Sequence, residues 1–242
     1  MERAIYERMA EIDGEHWWFT ARRQIVAQAI RDRVTLPPAP RILEIGAGTG
    51  ANLPMLAAFG TVDAVEPDEA ARALASRRSG IAVKGGLLPH AVALPDGGYD
   101  LIVLLDVLEH IPDDRGALTV LRAKLAPGGT LLMTVPAAPW MWSAHDVAHH
   151  HHRRYTARSF AAVMRDGGFR VRHLSHFNTL LFPLIAGVRL LHRLTGREGG
   201  DDALPGATTN RMLARIFAAE RYWVTRRALP FGVSLLAIAE PS

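Results

Sequence analysis

The run Arg41-Ile42-Leu43-Glu44-Ile45-Gly46-Ala47-Gly48-Thr49-Gly50 most constrains what this chain can fold into. Its first five residues are mostly aliphatic and read as a buried strand, and the glycines that follow demand a tight turn. A helical pattern over 51–59 comes next, which makes the run the opening of a strand–turn–helix unit. The same alternation then recurs: Thr61–Glu66 reads as a strand, 68–78 as a helix, Ile81–Lys84 as a short strand and Tyr99–Leu105 as an apolar strand of the fully buried type. A helix over 113–125 and the turn Pro127-Gly128-Gly129 lead into a strand at Thr130–Val135. A helix at 157–166 and strands at 169–176 and 233–239 complete the pattern. Apolar strands separated by helices predict an α/β fold with a mostly parallel sheet covered on both faces.

Two flanking segments depart from the alternation. Residues 3–34 are rich in helix formers and hold the aromatic cluster His16-Trp17-Trp18-Phe19, and Leu36-Pro37-Pro38-Ala39-Pro40 stops any helix there. From Phe177 to Leu229 the chain reads as mostly helical, long for a connection in a compact domain. The expected organisation is one domain over 1–242. It has a helical cap at 1–35, a core at 41–176 and 232–240, and a helical insertion at 177–231 placed to act as a lid.

Composition narrows the classes. With no cysteine, disulfides, thiolate metal sites and cysteine nucleophiles are excluded. The formal charge of +4 gives no cluster that argues for nucleic acid, and none is expected as a partner. Met1–Glu7 lacks the apolar core of a signal peptide, and no stretch offers the ~20 apolar residues of a membrane span. A cytoplasmic protein is expected, with room for peripheral contact at the inner membrane face.

The glycine turn is a ligand signal. Backbone can approach a ligand closely there, and Glu66 ends the second strand where an acidic side chain can accept from ribose hydroxyls. With Ala51 the loop also fits the loose dinucleotide pattern Gly-x-Gly-x-x-Gly/Ala, so a nicotinamide-dependent oxidoreductase is an alternative. A turn with no ligand, in a non-catalytic binding protein, is another. Glu44 before the glycines and Asp106 and Glu109 after the fourth strand disfavour a pyrophosphate and suit a sulfonium and an amino group.

Five segments, in order, resemble the motifs of class I, Rossmann-like methyltransferases that use S-adenosyl-L-methionine. They are Ile42 to Gly50, Val65-Glu66-Pro67, Leu94 to Ile102, Asp106-Val107-Leu108-Glu109-His110-Ile111, and Leu125 to Leu131. The resemblance implies a doubly wound seven-stranded sheet with an antiparallel last strand. It also implies a cofactor site over Glu44, Gly46, Ala47, Gly48, Gly50, Asn52, Glu66, Pro67, Leu87, Asp106, Val107 and His110. Many relatives hold the adenine amino group with an acidic residue before the fourth strand. Here Lys84-Gly85-Gly86-Leu87-Leu88 stands instead, leaving adenine to backbone and apolar contacts near Leu87 and Leu88.

The flanks resemble a bacterial subgroup of these enzymes, through Glu15 to Arg23, Ser143-Ala144-His145-Asp146, His151 and Arg153-Arg154-Tyr155, with His150 where relatives carry glycine. That subgroup implies a small-molecule, lipid-linked or glycan-linked acceptor. Trp18 can roof the cofactor or simply pin the first helix, and Arg22 or Arg23 can pair with the methionine carboxylate. His145, Asp146 and His151 follow the fifth strand at the expected crevice mouth. One histidine can take a proton from an acceptor hydroxyl while Asp146 orients it, which favours O- over N-methylation. The alternative is a structural cluster binding this loop to Arg153 and Arg154. The run His149–His152 reads as a solvated loop, since four adjacent histidines cannot all face one ion, and no metal is expected. In the insertion, Met212, Leu213, Ile216, Phe217, Trp223 and Val224 recur at helical spacing beside Arg211, Arg215, Arg221, Arg226 and Arg227. Such a stripe suits packing on the domain, a homodimer face or an anionic membrane surface, and the apolar segment Asn178–Ile185 suits an acceptor tunnel.

Overall fold

A computed structural model describes residues 3–90, 93–195 and 204–242. Residues 196–203, inside the expected helical insertion, Ala91 and Val92, and Met1 and Glu2, within the expected helical cap, lie outside the described residues.

The sheet is built from β1 (Arg41–Ile45), β2 (Thr61–Val65), β3 (Val83–Lys84), β4 (Tyr99–Leu105), β5 (Leu125–Pro136), β6 (Phe169–Phe177) and β7 (Ser234–Pro241). Their order is β3-β2-β1-β4-β5-β7-β6. The pairs from β3 through β5 are parallel, and β7 runs antiparallel between β5 and β6. This is the doubly wound arrangement that the alternation predicts, and its strand order reverses between β1 and β4. Open sheets of this kind bind ligands at that point, beyond the strands' carboxyl ends.

Alternation within the strands feeds two cores. Leu43 and Ile45 of β1, Ile102 and Leu104 of β4 and Leu131 and Met133 of β5 face one side. There they pack on α5 (Asp114–Lys124) and α7 (Ala157–Asp166) through Leu118, Phe160 and Met164. Ile42, Leu101, Val103 and Leu132 face the other side. They pack there on α2 (Trp17–Arg33), α9 (Ala207–Ala219) and α10 (Arg221–Val224) through Ile25, Ile30, Phe217 and Val224. Both faces being covered explains why β4 is apolar from Leu101 to Leu105. A third cluster, Leu53, Ala64, Ala75 and Val83, seats α3 (Leu53–Ala57) and α4 (Glu69–Ser79) at the β3 edge.

The amino-terminal region is two helices, α1 (Arg3–Ile12) and α2, with His16 capping α2 by accepting from the Trp18 backbone N–H at 3.3 Å. Among the described residues the insertion holds α8 (Phe182–Thr195), α9 and α10, with α6 (Ala144–Ala148) earlier in the chain after β5. Part of the α9 stripe packs on the domain, where Phe217 stacks on Trp18 at 5.1 Å and on Phe177 at 5.9 Å, while Met212 is exposed. Asn210 clamps the α1–α2 corner, accepting from the Trp17 N–H and donating to the Glu15 carbonyl, both at 2.8 Å. Of the exposed apolar residues, Leu184, Val188, Leu190, Leu191 and Leu194 share α8. No helix among the described residues is long and apolar enough to cross a membrane.

Candidate active site

The turn after β1 is built by its glycines. Gly46 has φ +73, and a Cβ there would lie 2.5 Å from Val107 Cγ2, so this loop and the one after β4 touch only because Gly46 has no side chain. Gly46 and Ala47 donate their N–H groups to the Val65 carbonyl at 2.8 and 3.0 Å, which ties the turn to the end of β2. Gly48, at φ +54, has open space where a Cβ would sit. Its N–H donates to Glu66 Oε2 at 2.8 Å, and the other carboxylate oxygen accepts from the Asp68 N–H at 3.0 Å. Glu66 is thereby fixed against the loop that it is expected to work with.

These groups line one cavity of about 520 Å³, within the ~300–1,000 Å³ range of small-molecule sites. Of the residues expected to bind the cofactor, Trp18, Arg23, Gly46, Ala47, Gly48, Asn52, Glu66, Pro67, Leu87, Asp106, Val107 and His110 all line it. Glu44 and Gly50 do not. Glu44 is fully buried behind the wall and accepts from Asn52 Nδ2 at 2.9 Å, so it acts on the cavity through Asn52. Burial pushes its pKa up to about 7. Gly50 faces α4 instead, where a Cβ would meet the Ala75 backbone at 2.8 Å.

Asp106 directly follows β4 at φ +58, a strained setting for a residue with a side chain. Its carboxylate is held by Arg22 and by the Thr134 hydroxyl, the latter at 3.1 Å. Arg22 is committed to Asp106 through Nη1, yet its Nε, like Arg23 Nη1, is buried without a hydrogen-bond partner, and both arginines line the cavity. Trp18 lines the cavity and stacks on Phe217.

The residues expected on the acceptor side converge. His145 and His151 line the cavity, while Asp146 is buried behind them and holds His151 Nδ1 at 2.9 Å. Asp146 also accepts from Arg154 Nε at 2.7 Å and from the Ser143 N–H at 2.9 Å. Burial opposes its charge, but the hydrogen bonds from His151 and Arg154 outweigh burial and hold its pKa below the usual range. An ionised Asp146 places the proton of neutral His151 on Nδ1, leaving Nε2 as a lone pair. Asp146 thus both orients the His151 imidazole and ties this loop to Arg154. Arg153 and Tyr155 are spent elsewhere, on Asp114 at 2.6 and 2.9 Å.

The histidine run divides. His150 and His152 are exposed, His149 is buried, and the His145 and His149 rings stand 4.2 Å apart. From the turn Leu108–His110 behind β4, His110 meets His151 edge-on at 4.6 Å between ring centroids. Burial and the neighbouring His151 and His149 push the His110 pKa down to about 3, so it is neutral near pH 7. Glu109 is fully buried at the cavity wall, and burial with the Asp106 charge pushes its pKa well up.

Asp13 and Arg78 escaped the sequence reading. Asp13, buried at the end of α1, lines the cavity, receives the Thr49 hydroxyl and pairs with Arg78 of α4. The acidic residue just before the aromatic cluster was the available signal, but nothing local names its partner.

Known proteins place this geometry. A family described as methyltransferase domain matches residues 18–174. A Mycobacterium tuberculosis protein named "probable S-adenosylmethionine-dependent methyltransferase" is 29% identical over 66% of this chain, which spans 58% of that protein's length. A ubiquinone biosynthesis O-methyltransferase of Paramagnetospirillum magneticum is 25% identical over 64% of this chain and 70% of its own. In fold, an S-adenosylmethionine-dependent methyltransferase from Mesorhizobium loti superposes with a TM-score of 0.59, at 17% identity, over 87% of this chain and 95% of that one. The chain belongs to the methyltransferase-domain family, with the class I, Rossmann-like fold and S-adenosylmethionine as cofactor.

Proposed function

We propose that the chain transfers the methyl group of S-adenosylmethionine to an oxygen of a small-molecule, lipid-linked or glycan-linked acceptor. One observation carries this reading: a single cavity is lined on one side by Gly46, Gly48 and Glu66 and on the other by His145 and His151. The sulfonium is already activated, so the protein's task is mainly to align a nucleophile in a water-poor space. An acceptor hydroxyl must also lose a proton. His151, oriented by Asp146 at 2.9 Å, is in place for that, which favours oxygen over nitrogen. Several relatives carry ubiquinone O-methyltransferase names, which agrees with an oxygen acceptor.

The insertion supports an apolar acceptor. Ile185 and Arg189 of α8 line the cavity, while Leu184, Leu191 and Leu194 of the same helix are exposed. A helix with one face on the site and an apolar face outside suits an acceptor delivered from a membrane surface, with a homodimer contact as the competing use of that face.

The test is a panel of phenols, carboxylates, amines and polyprenyl-linked sugars incubated with methyl-labelled cofactor. Label in an ether or ester supports the reading. Label in amines alone, or in nucleic acid, overturns the oxygen assignment.

A further inference from the structure

Two loops that close the site from neighbouring strands bring metal-ligating side chains together. Glu109 and His110 follow β4, and His151 comes from the loop after α6. One ligand atom from each lies within 4.8 Å of the other two. The loops are also locked by backbone, since the His152 N–H donates to the Glu109 carbonyl at 2.8 Å.

Glu109 is the independent observation. It is fully buried, it lines the cavity, and neither carboxylate oxygen has a hydrogen-bond partner. A buried carboxylate without donors is unfavourable unless a proton or a cation compensates it. Arg22 and Arg154 also act on it by charge, but each is spent on another carboxylate, Asp106 and Asp146, and two imidazoles stand within ligand reach of it. His151 is held at Nδ1 by Asp146, which leaves Nε2 as the ligand atom, and Asp146 is itself anchored by Arg154. A carboxylate behind an imidazole in this way fixes the tautomer and orientation that a metal-binding histidine needs.

We propose that Glu109, His110 and His151 bind one divalent transition-metal ion, Zn²⁺ or a close analogue, with open positions for an oxygen of the methyl acceptor. Two imidazoles and one carboxylate suit zinc, cobalt or manganese rather than magnesium, which prefers an all-oxygen shell. Resting on the methyl-transfer reading, the site narrows the acceptor to a hydroxyl or a pair of neighbouring oxygens. With its Nε2 on the ion, His151 no longer takes the hydroxyl proton; the ion acidifies the bound hydroxyl instead, and the proton leaves to solvent. The hydroxyl oxygen then forms a bond to the methyl carbon as the carbon–sulfur bond breaks, and that electron pair stays on sulfur as a neutral thioether.

The experiment is a Co²⁺ titration of the full, tag-free chain after chelator treatment, followed by visible absorption and by displacement with Zn²⁺. One equivalent of Co²⁺ with d–d bands is expected. Binding should fall at least ~10-fold in Glu109→Gln and in His110→Ala and stay unchanged in His152→Ala, an exposed member of the histidine run. Circular dichroism and thermal midpoints confirm that each variant folds, and Zn²⁺ should raise the midpoint of the parent but not of Glu109→Gln. Loss of the site in His152→Ala alone, or no one-equivalent binding in a protein that binds S-adenosylhomocysteine, overturns the proposal. If the ion binds but S-adenosylhomocysteine does not, the metal site stands and the methyl-transfer reading falls.

Discussion

Arg78 grips Asp13 with both guanidinium nitrogens, Nη2 to Oδ1 at 2.6 Å and Nη1 to Oδ2 at 2.8 Å. The same carboxylate takes the Thr49 hydroxyl, and Arg78 also donates to the Thr49 carbonyl at 3.2 Å. Three segments far apart in sequence, α1, the glycine loop and α4, are thereby joined around one buried charge. Because α1 contributes Met9, Ile12 and Asp13 to the cavity wall, this junction sets whether the cofactor side is closed.

Replacing Asp13 by Asn should therefore weaken S-adenosylhomocysteine about 10-fold. It should also cost about 1–3 kcal/mol of stability, the usual range for losing a charged hydrogen-bonded partner. Calorimetric titration and chemical denaturation read the two effects separately. Unchanged affinity in a destabilised variant would mean that α1 only packs and does not close the site.

Glu66 tests the cofactor side directly. Its two oxygens accept from Gly48 and Asp68, so the side chain needs two acceptor atoms to hold the loop. Gln supplies only one, and Ala none. S-adenosylhomocysteine affinity should fall roughly 10-fold in Glu66→Gln and further in Glu66→Ala, or about 1.4 kcal/mol for the first. Equal affinity in all three proteins would remove Glu66 from the site.

A pH dependence follows from Glu44. Burial raises its folded pKa to about 7 from an unfolded value of 4.5. Between those values the folded chain binds more protons than the unfolded one, so stability falls as pH rises through this window. The stabilisation is full below about pH 4.5 and lost above about pH 7, and amounts to roughly 3 kcal/mol. Glu44→Gln, which keeps an acceptor for Asn52, should lose less stability between pH 5 and pH 8 than the parent. Parallel thermal midpoints across that range would show that Glu44 is not the titrating group.

Much of this architecture was legible in the sequence, for identifiable reasons. β1 and β4 carry buried apolar runs ended by glycine or a charged residue, and both lie where the pattern places them. β3 reads as Ile81–Lys84 but pairs only over Val83–Lys84, because an edge strand has a single neighbour to extend it. β5 begins at Leu125 rather than Thr130, since Leu125 pairs with Tyr99 before the turn residues shift the register. The site was legible where it is local, in the glycine loop and Glu66. Glu44 looked like a contact because it adjoins the glycines, yet strand alternation turns it into the wall. Glu109, His110 and His151 meet because β4 and β5 are neighbours, which depends on strand order and not on spacing along the chain.

The two glycines of the loop should separate folding from binding. At Gly46, an added Cβ meets Val107 at 2.5 Å and the backbone sits at positive φ, so Gly46→Ala carries both a clash and strain. At Gly48 the φ is also positive but nothing stands within 4 Å of the added atom, so only the strain, about 1 kcal/mol, remains. Gly48 lines the cavity, and its new methyl group would occupy space that the ligand needs. Gly46→Ala should thus lower the thermal midpoint markedly and regain part of it when combined with Val107→Ala, which removes the clashing Cγ2. Gly48→Ala should keep a near-parental midpoint while losing most of its affinity for S-adenosylhomocysteine. If Gly48→Ala bound the ligand as the parent does, the cofactor would not approach the loop at that residue, and the path of the methionine portion along the glycines would have to be redrawn.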